Sequence, residues 1–210
     1  MCGIFGFISK NGETLKLSKI EQIAKVTMRR GPHAWGMAWV DSSGILHTYK
    51  QSGRIVDSLG LLAMASDAVM LAGHCRYATH GDPADNLNNH PHDAGDAWVI
   101  HNGQIIDYLD IAKRHRLKRH TDCDSEVLGL MIAKFKGDPL KRVKRAVDEA
   151  MGFRPFSMMA LWPDRMIVAR ANNQPLSIGE TRDAYYIASL REGLPGYVEE
   201  MQNDEIVEYA

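Results

Sequence analysis

The sequence predicts an α+β fold with largely antiparallel sheets. Strand-like runs open the chain, helical periodicity fills its middle and short strand-like runs return at its end, an order that favours segregated layers over alternating βαβ units. No Gly-x-Gly-x-x-Gly follows a strand and no Gly-Lys-Ser/Thr loop occurs, so nucleotide binding is not expected. At 210 residues and 45% apolar content, the chain is expected to form one domain over 1–210 with a sizeable core.

Ile4, Phe5, Phe7 and Ile8, punctuated by Gly3 and Gly6, predict a buried first strand. Asn11-Gly12 marks a turn. Ser18-Lys19-Ile20-Glu21 has the form of a capping box, in which each polar side chain satisfies an orphan backbone N–H. Ile20, Ile23, Ala24, Thr27 and Met28 follow at helical spacing, and Gly31-Pro32 stops the helix. Met37 to Val40 and Ile45 to Tyr49 flank Asp41-Ser42-Ser43-Gly44 and read as a hairpin. Leu59 to Ala65 reads as a short helix, and Val69 to His74 as a central strand.

From Arg76 to Gly95 periodicity gives way to Thr, His, Gly, Asp, Pro and Asn, and a loop of this length in a compact domain is expected to be functional. Trp98 to Ile100 returns to strand and stops at His101-Asn102-Gly103. Ile106, Leu109 and Ile111 fit a short helix; the basic run from Lys113 to His120 reads as solvated surface. Val127 to Phe135 and Leu140 to Met151 predict two helices. Phe156 to Trp162, Met166 to Ala169, Leu176 to Ile178, Tyr185 to Ala188 and Glu205 to Tyr209 predict five closing strands.

A net charge of −1 argues against nucleic-acid or anionic-membrane partners. No apolar run approaches a membrane span and no secretory signal is visible. Three cysteines, odd in number, do not form a disulfide framework, and a reducing cytoplasm is the expected compartment. Among nine histidines, His90-Pro91-His92 and the Cys75 to His80 stretch are the best metal candidates. Without Cys-x-x-Cys or a helical His pair, neither a metal site nor any other cofactor is expected.

Cys2 carries the sharpest chemical signal. Loss of Met1 would give it a free α-amine, with a pKa near 7.7–8.0 in model peptides, beside its own thiol. Nucleophile and general base then belong to one residue. The competing reading is a small buried hydrophobe.

Cys2 does not stand alone. Met1-Cys2-Gly3-Ile4-Phe5-Gly6, Arg30-Gly31-Pro32-His33, Gly73-His74-Cys75-Arg76-Tyr77-Ala78-Thr79-His80-Gly81, Ile100-His101-Asn102-Gly103 and Thr121-Asp122-Cys123-Asp124-Ser125-Glu126-Val127 follow in that order. Together they resemble the glutaminase domain of class II glutamine amidotransferases, a family of N-terminal-nucleophile (Ntn) hydrolases that includes glucosamine-6-phosphate synthase and phosphoribosylpyrophosphate amidotransferase. Asn89-His90-Pro91-His92 and the late strands resemble the synthase as well. The resemblance implies a four-layer αββα sandwich of two antiparallel sheets between helix layers.

It also implies roles. Cys2 would attack the side-chain amide of L-glutamine to form a thioester, and its α-amine would shuttle the proton to departing ammonia. Asn102 and Gly103 match the oxyanion hole, although Asn-Gly alone also reads as a turn. Arg76 matches the clamp on the substrate carboxylate. Asp124 matches the ammonium partner; its competing reading is a helix N-cap, which Asp122 could fill equally. Thr79 and His80 belong to the loop that closes over glutamine. Arg30 and Tyr77 match supporting positions, Arg30 also reading as a helix C-terminal cation. His33 stands where many members have Asp, and Cys75 and Cys123 where other small residues are common; both cysteines read as structural. The expected function is release of glutamate and ammonia, the latter for a separately encoded synthase. Amide hydrolysis on another substrate and non-catalytic glutamine sensing are the alternatives.

Overall fold

The computed structural model describes residues 1–210. The chain runs β1 (Gly3–Ser9), α1 (Leu17–Thr27), a 3-10 turn (Met28–Arg30), β2 (Ala34–Asp41), β3 (Leu46–Ser52), a 3-10 segment (Ile55–Ala65) and β4 (Ala68–Arg76). It continues through β5 (His92–Asp93), β6 (Trp98–Gly103), α2 (Tyr108–Arg114), α3 (Glu126–Lys134) and α4 (Pro139–Ala150). It closes with β7 (Phe156–Leu161), β8 (Met166–Ala171), β9 (Ser177–Glu180), β10 (Ala184–Ala188), β11 (Tyr197–Glu200) and β12 (Glu205–Tyr209). Seven strands form one sheet in the order β11-β9-β10-β1-β4-β2-β3, and five form a second in the order β12-β8-β7-β6-β5. Every pairing is antiparallel.

Strand alternation sorts the side chains into layers. On β1, Ile4 and Ile8 join Ala38, Val40, Met70 and Ala72 against Ile100, Met159, Leu161 and Val168 of the second sheet. Phe5 and Phe7 point the other way, to Ile20, Ile23 and Ala24 of α1. The outer face of the second sheet packs on Val127, Met131, Val143 and Val147 of α3 and α4. Helix, sheet, sheet, helix is therefore the layer order, as the resemblance implies. Gly73 is where two elements approach closely: it pairs with Phe5, and a Cβ there would lie 2.2 Å from the Phe5 ring.

Local chemistry departs from expectation in four places. The capping box does not form: α1 begins at Leu17 with Lys16 at the N-cap and no side-chain cap bond, so Ser18 lies inside the first turn rather than ahead of it. Leu59 to Ala65 belongs to a longer 3-10 segment kinked at Ser58 rather than to an α-helix. The hairpin strands extend beyond the predicted runs, because β2 is buried throughout between β3 and β4. The edge strands β5 and β11 lack the apolar patterning that would mark them: β5 has two residues, and β11 reads Tyr-Val-Glu-Glu. No helix is long and apolar enough to cross a membrane.

Candidate active site

Cys2 immediately precedes β1, which lies inside the larger sheet between β10 and β4. Its backbone is held on two sides. A Cβ at Gly3 would lie 2.6 Å from Thr27 Cγ2 and 2.8 Å from the Thr27 carbonyl, so only glycine lets this segment lie against the end of α1. Arg30 Nε donates to the Cys2 carbonyl at 2.7 Å. The helix-end cation of the sequence thus buttresses the residue that carries the thiol. Cys2 Sγ accepts from the Tyr77 N–H at 3.3 Å. Burial pushes the thiol above its ordinary pKa, while that backbone hydrogen bond works in the opposite direction.

Asn102 reaches the same place from the second sheet. It lies near the end of β6, with 1% of its surface exposed. Its Nδ2 donates to Ser189 Oγ at 3.4 Å, and the same oxygen accepts from the Ile4 N–H at 2.9 Å. The Ser189 N–H in turn donates to the Ile4 carbonyl at 2.9 Å. One hydroxyl therefore ties the Asn102 amide to the strand that begins beside Cys2. Gly103 is sterically required, because a Cβ would lie 2.6 Å from His101 Nε2 and 2.8 Å from the Pro155 carbonyl. Cys2, Tyr77, Thr79, Asn102 and Gly103 line one cavity of about 380 Å³, with Gln104, Arg154 and Gln174 at its walls.

Arg76, His80 and Asp124 form a second cluster, which does not line that cavity. Arg76 is buried at the end of β4. Its Nη1 donates to Asn89 Oδ1 at 2.8 Å, and its Nη2 donates to the carbonyls of His80 and, at 3.1 Å, Gly81. Asp124 Oδ2 accepts from the Ile105 N–H at 2.7 Å, and Oδ1 lies 3.9 Å from His80 Nδ1. Asp124 does not cap α3 with its side chain: Ser125 is the N-cap residue, and no side-chain cap bond forms there. The carboxylate instead orients the Gly103–Ile105 segment.

Four buried histidines, His74, His90, His92 and His101, lie behind the site. His74 Nε2 lies 3.1 Å from the His101 carbonyl, and the His74 ring stacks on His90 with centroids 3.9 Å apart. His101 Nδ1 lies 2.8 Å from Ser125 Oγ. Burial brings His74 down to about 3 and His101 down to about 4, so both are neutral at pH 7 and serve as packed polar groups.

Sequence reasoning missed Ser189 and the contact of His33. Ser189 follows the apolar run of β10 much as Asn102 closes that of β6, and a polar residue ending a buried strand was the available signal. His33, where the family pattern favours Asp, accepts from the Ala78 N–H through Nδ1 at 3.0 Å. Its ring packs on Tyr77 with centroids 4.8 Å apart. An imidazole nitrogen thus supplies an acceptor to the start of the loop.

No family model matches the chain. It is 32% identical over 198 residues to the glutamine–fructose-6-phosphate aminotransferase (isomerizing) of Clostridium tetani, covering 90% of this chain and 31% of that protein. Among solved structures it superposes on glutamine phosphoribosylpyrophosphate amidotransferase from B. subtilis with a TM-score of 0.75 at 23% identity, over 99% of this chain and 49% of that one. A second structure, described as the allosteric regulatory enzyme of purine biosynthesis, gives a TM-score of 0.83 at 23% identity, over 99% and 46%. The chain therefore spans about a third of the length of the curated relatives it matches and about half of these structures. Two antiparallel sheets packed between helices, with a cysteine at position 2 leading into an inner strand, define an Ntn-hydrolase fold. Its homologues are class II glutamine amidotransferases, a family of enzymes with an N-terminal cysteine nucleophile, and the part of them that it matches is the glutaminase domain.

Proposed function

We propose that residues 1–210 form one glutaminase domain that hydrolyses the side-chain amide of L-glutamine through Cys2 and delivers ammonia to a synthase. The observation that carries this reading is the convergence of Cys2, Asn102 and Gly103 on one cavity from two different sheets. Met1 is 72% exposed, open to removal by an aminopeptidase. The freed α-amine of Cys2 takes the thiol proton as Sγ attacks the amide carbon. Negative charge then develops on the former carbonyl oxygen, where Asn102 Nδ2 and the Gly103 N–H are the proposed donors. Collapse of this intermediate expels ammonia, with the proton returned from the α-amine, and leaves a thioester on Cys2. Water adds to the thioester through a second oxyanion, releasing glutamate.

Arg76 and Asp124 are the proposed partners of the substrate's α-carboxylate and α-ammonium. Their charges suit an α-amino acid, and a simple linear amide would need neither. Arg76 is bonded to the chain's own loop and Asp124 lies 3.9 Å from His80, so glutamine binding requires His80 and Gly81 to withdraw from them. Thr79, already at the cavity, moves with that loop. A loop that must open and close again gives a partner a handle on turnover. The proposed partner is a separately encoded synthase in the cytoplasm, docked at the mouth of the Cys2 cavity.

The test is steady-state ammonia release from glutamine by protein whose intact mass shows loss of Met1. Turnover that is low alone and rises with a synthase and its acceptor supports the reading. Release of ammonia equal in the Cys2→Ala variant, or full activity with Met1 retained, overturns it.

A further inference from the structure

His90, His92 and Cys123 meet in the fold although the second histidine and the cysteine are 31 positions apart. One ligand atom from each lies within 4.8 Å of the others, and all three residues are buried. The histidines are 3% and 2% exposed. Neither ring nitrogen of His90 has a hydrogen-bond partner, nor does Nε2 of His92. Buried polar atoms are ordinarily paired, and three unpaired nitrogens in one cluster call for a further ligand. The Cys123 thiol donates to Asp124 Oδ1 at 3.9 Å.

We propose that His90, His92 and Cys123 bind a zinc ion. Imidazole nitrogen and thiolate sulfur are both ligands that zinc takes, in a four-coordinate site whose last position can hold water. Bond lengths of roughly 2.0–2.3 Å place neighbouring ligand atoms of a tetrahedral site about 3.3–3.8 Å apart, so side-chain rotations of about an ångström close the cluster around the ion. Binding releases the thiol proton of Cys123, and Zn²⁺ with one thiolate and two neutral imidazoles leaves one net positive charge. Asp124 stands beside the sulfur to balance it. Lys50 donates to the carbonyls of Asn89 at 2.9 Å and Pro91 at 3.1 Å, fixing the backbone on either side of His90 while occupying its own charge. His92 also lines a cleft of about 430 Å³ beside Trp98 and Glu126, which gives the ion an access route and water a way to the fourth position. The sequence argued against a metal because it holds no Cys-x-x-Cys and no helical His pair; the fold brings Cys123, just ahead of α3, to His90 and His92.

The site is separate from the Cys2 cavity but joined to the second cluster through adjacent residues. Asn89, which holds Arg76, precedes His90, and Asp124 follows Cys123. Zinc would therefore fasten the end of the 77–91 loop to the start of α3.

The test uses the untagged full chain, purified without chelator after growth with zinc, and elemental analysis; about one equivalent of zinc per chain is expected. Replacement by Co²⁺ should give a thiolate-to-cobalt charge-transfer band and the intense visible bands of a tetrahedral ion. Cys123→Ser should abolish the charge-transfer band, whereas Cys75→Ser and Cys2→Ala should retain it. Should Cys123→Ser fail to fold, His92→Gln serves in its place, with weakened cobalt affinity and loss of the tetrahedral intensity. Protein that carries no zinc and shows no cobalt band overturns the proposal. So does a band that survives Cys123→Ser and vanishes with Cys2→Ala.

Discussion

Asn102 arrives at the Cys2 cavity on β6 and is steadied by Ser189, which follows β10, whereas Arg76 leaves the end of β4 and directs its guanidinium at carbonyls of its own loop. At the first end of the site, sheet geometry sets the positions, and the space beside Cys2 is open. At the second, His80 and Gly81 lie where the two charged groups could otherwise face a ligand. On the proposed roles, the difference separates chemistry from recognition. Groups that stabilise a transition state gain most from a fixed scaffold, because no reorganisation is then required during reaction. Groups that recognise substrate can be held by a loop, whose closure also excludes water.

The largest effect should come from the fixed end. Cys2→Ala is expected to lower kcat by as much as about 10⁶-fold, the scale on which hydrolases lose activity with their nucleophile. A glutamine-mimicking electrophile such as 6-diazo-5-oxo-L-norleucine should add once, at Cys2. Peptide mapping that finds the adduct on Cys75 or Cys123 would place the nucleophile elsewhere. Asn102→Ala comes next: kcat should fall by roughly 10²–10³-fold with little change in KM, as for loss of one oxyanion donor. A rise in KM alone would mean that Asn102 recognises substrate, and the proposed division between the two ends would fail.

The loop-held end should respond in KM. Arg76→Lys keeps a positive charge but loses the planar fork, and Asp124→Asn removes the countercharge to an ammonium. Each should raise KM for glutamine by about 10- to 100-fold, the scale of one charge-assisted hydrogen bond of ~1.5–3 kcal/mol. Asp124→Asn also weakens the acceptor of the Ile105 N–H, so thermal unfolding should accompany the kinetics. A lower midpoint with unchanged KM would assign Asp124 to the loop alone.

The same contrast governs what the sequence made legible. Apolar runs and turns marked most of the strands, and Cys2 and the Asn102-Gly103 pair stood out because each closes or opens a buried strand. Layer order was legible from strands and helices only as α+β; the sandwich came from the resemblance. What stayed hidden depends on long-range contacts. Nothing near residue 189 in sequence announces that its hydroxyl meets both Ile4 and Asn102, 185 and 87 positions away. Local propensity also misplaced the start of α1, where tertiary packing of Leu15 and Ile20 outweighs the Ser18–Glu21 box.

Ser189 gives the smallest effect and the sharpest comparison. If sheet geometry fixes the oxyanion donor, the hydroxyl acts through Asn102 and never touches substrate. Ser189→Ala then removes the acceptor that orients Asn102 Nδ2 and leaves the Ile4 N–H without that partner. An unsatisfied buried donor costs about 1–3 kcal/mol, so the unfolding midpoint should fall. Turnover should fall by about tenfold with KM unchanged, and Ser189→Thr, which keeps the oxygen, should restore most of it. The decisive measurement is a double-mutant cycle. In an Asn102→Ala background, Ser189→Ala should have almost no further effect on kcat, because the group it positions has gone. Equal effects in both backgrounds would show that Ser189 contributes independently of Asn102, and the scaffold argument would then rest on β6 alone.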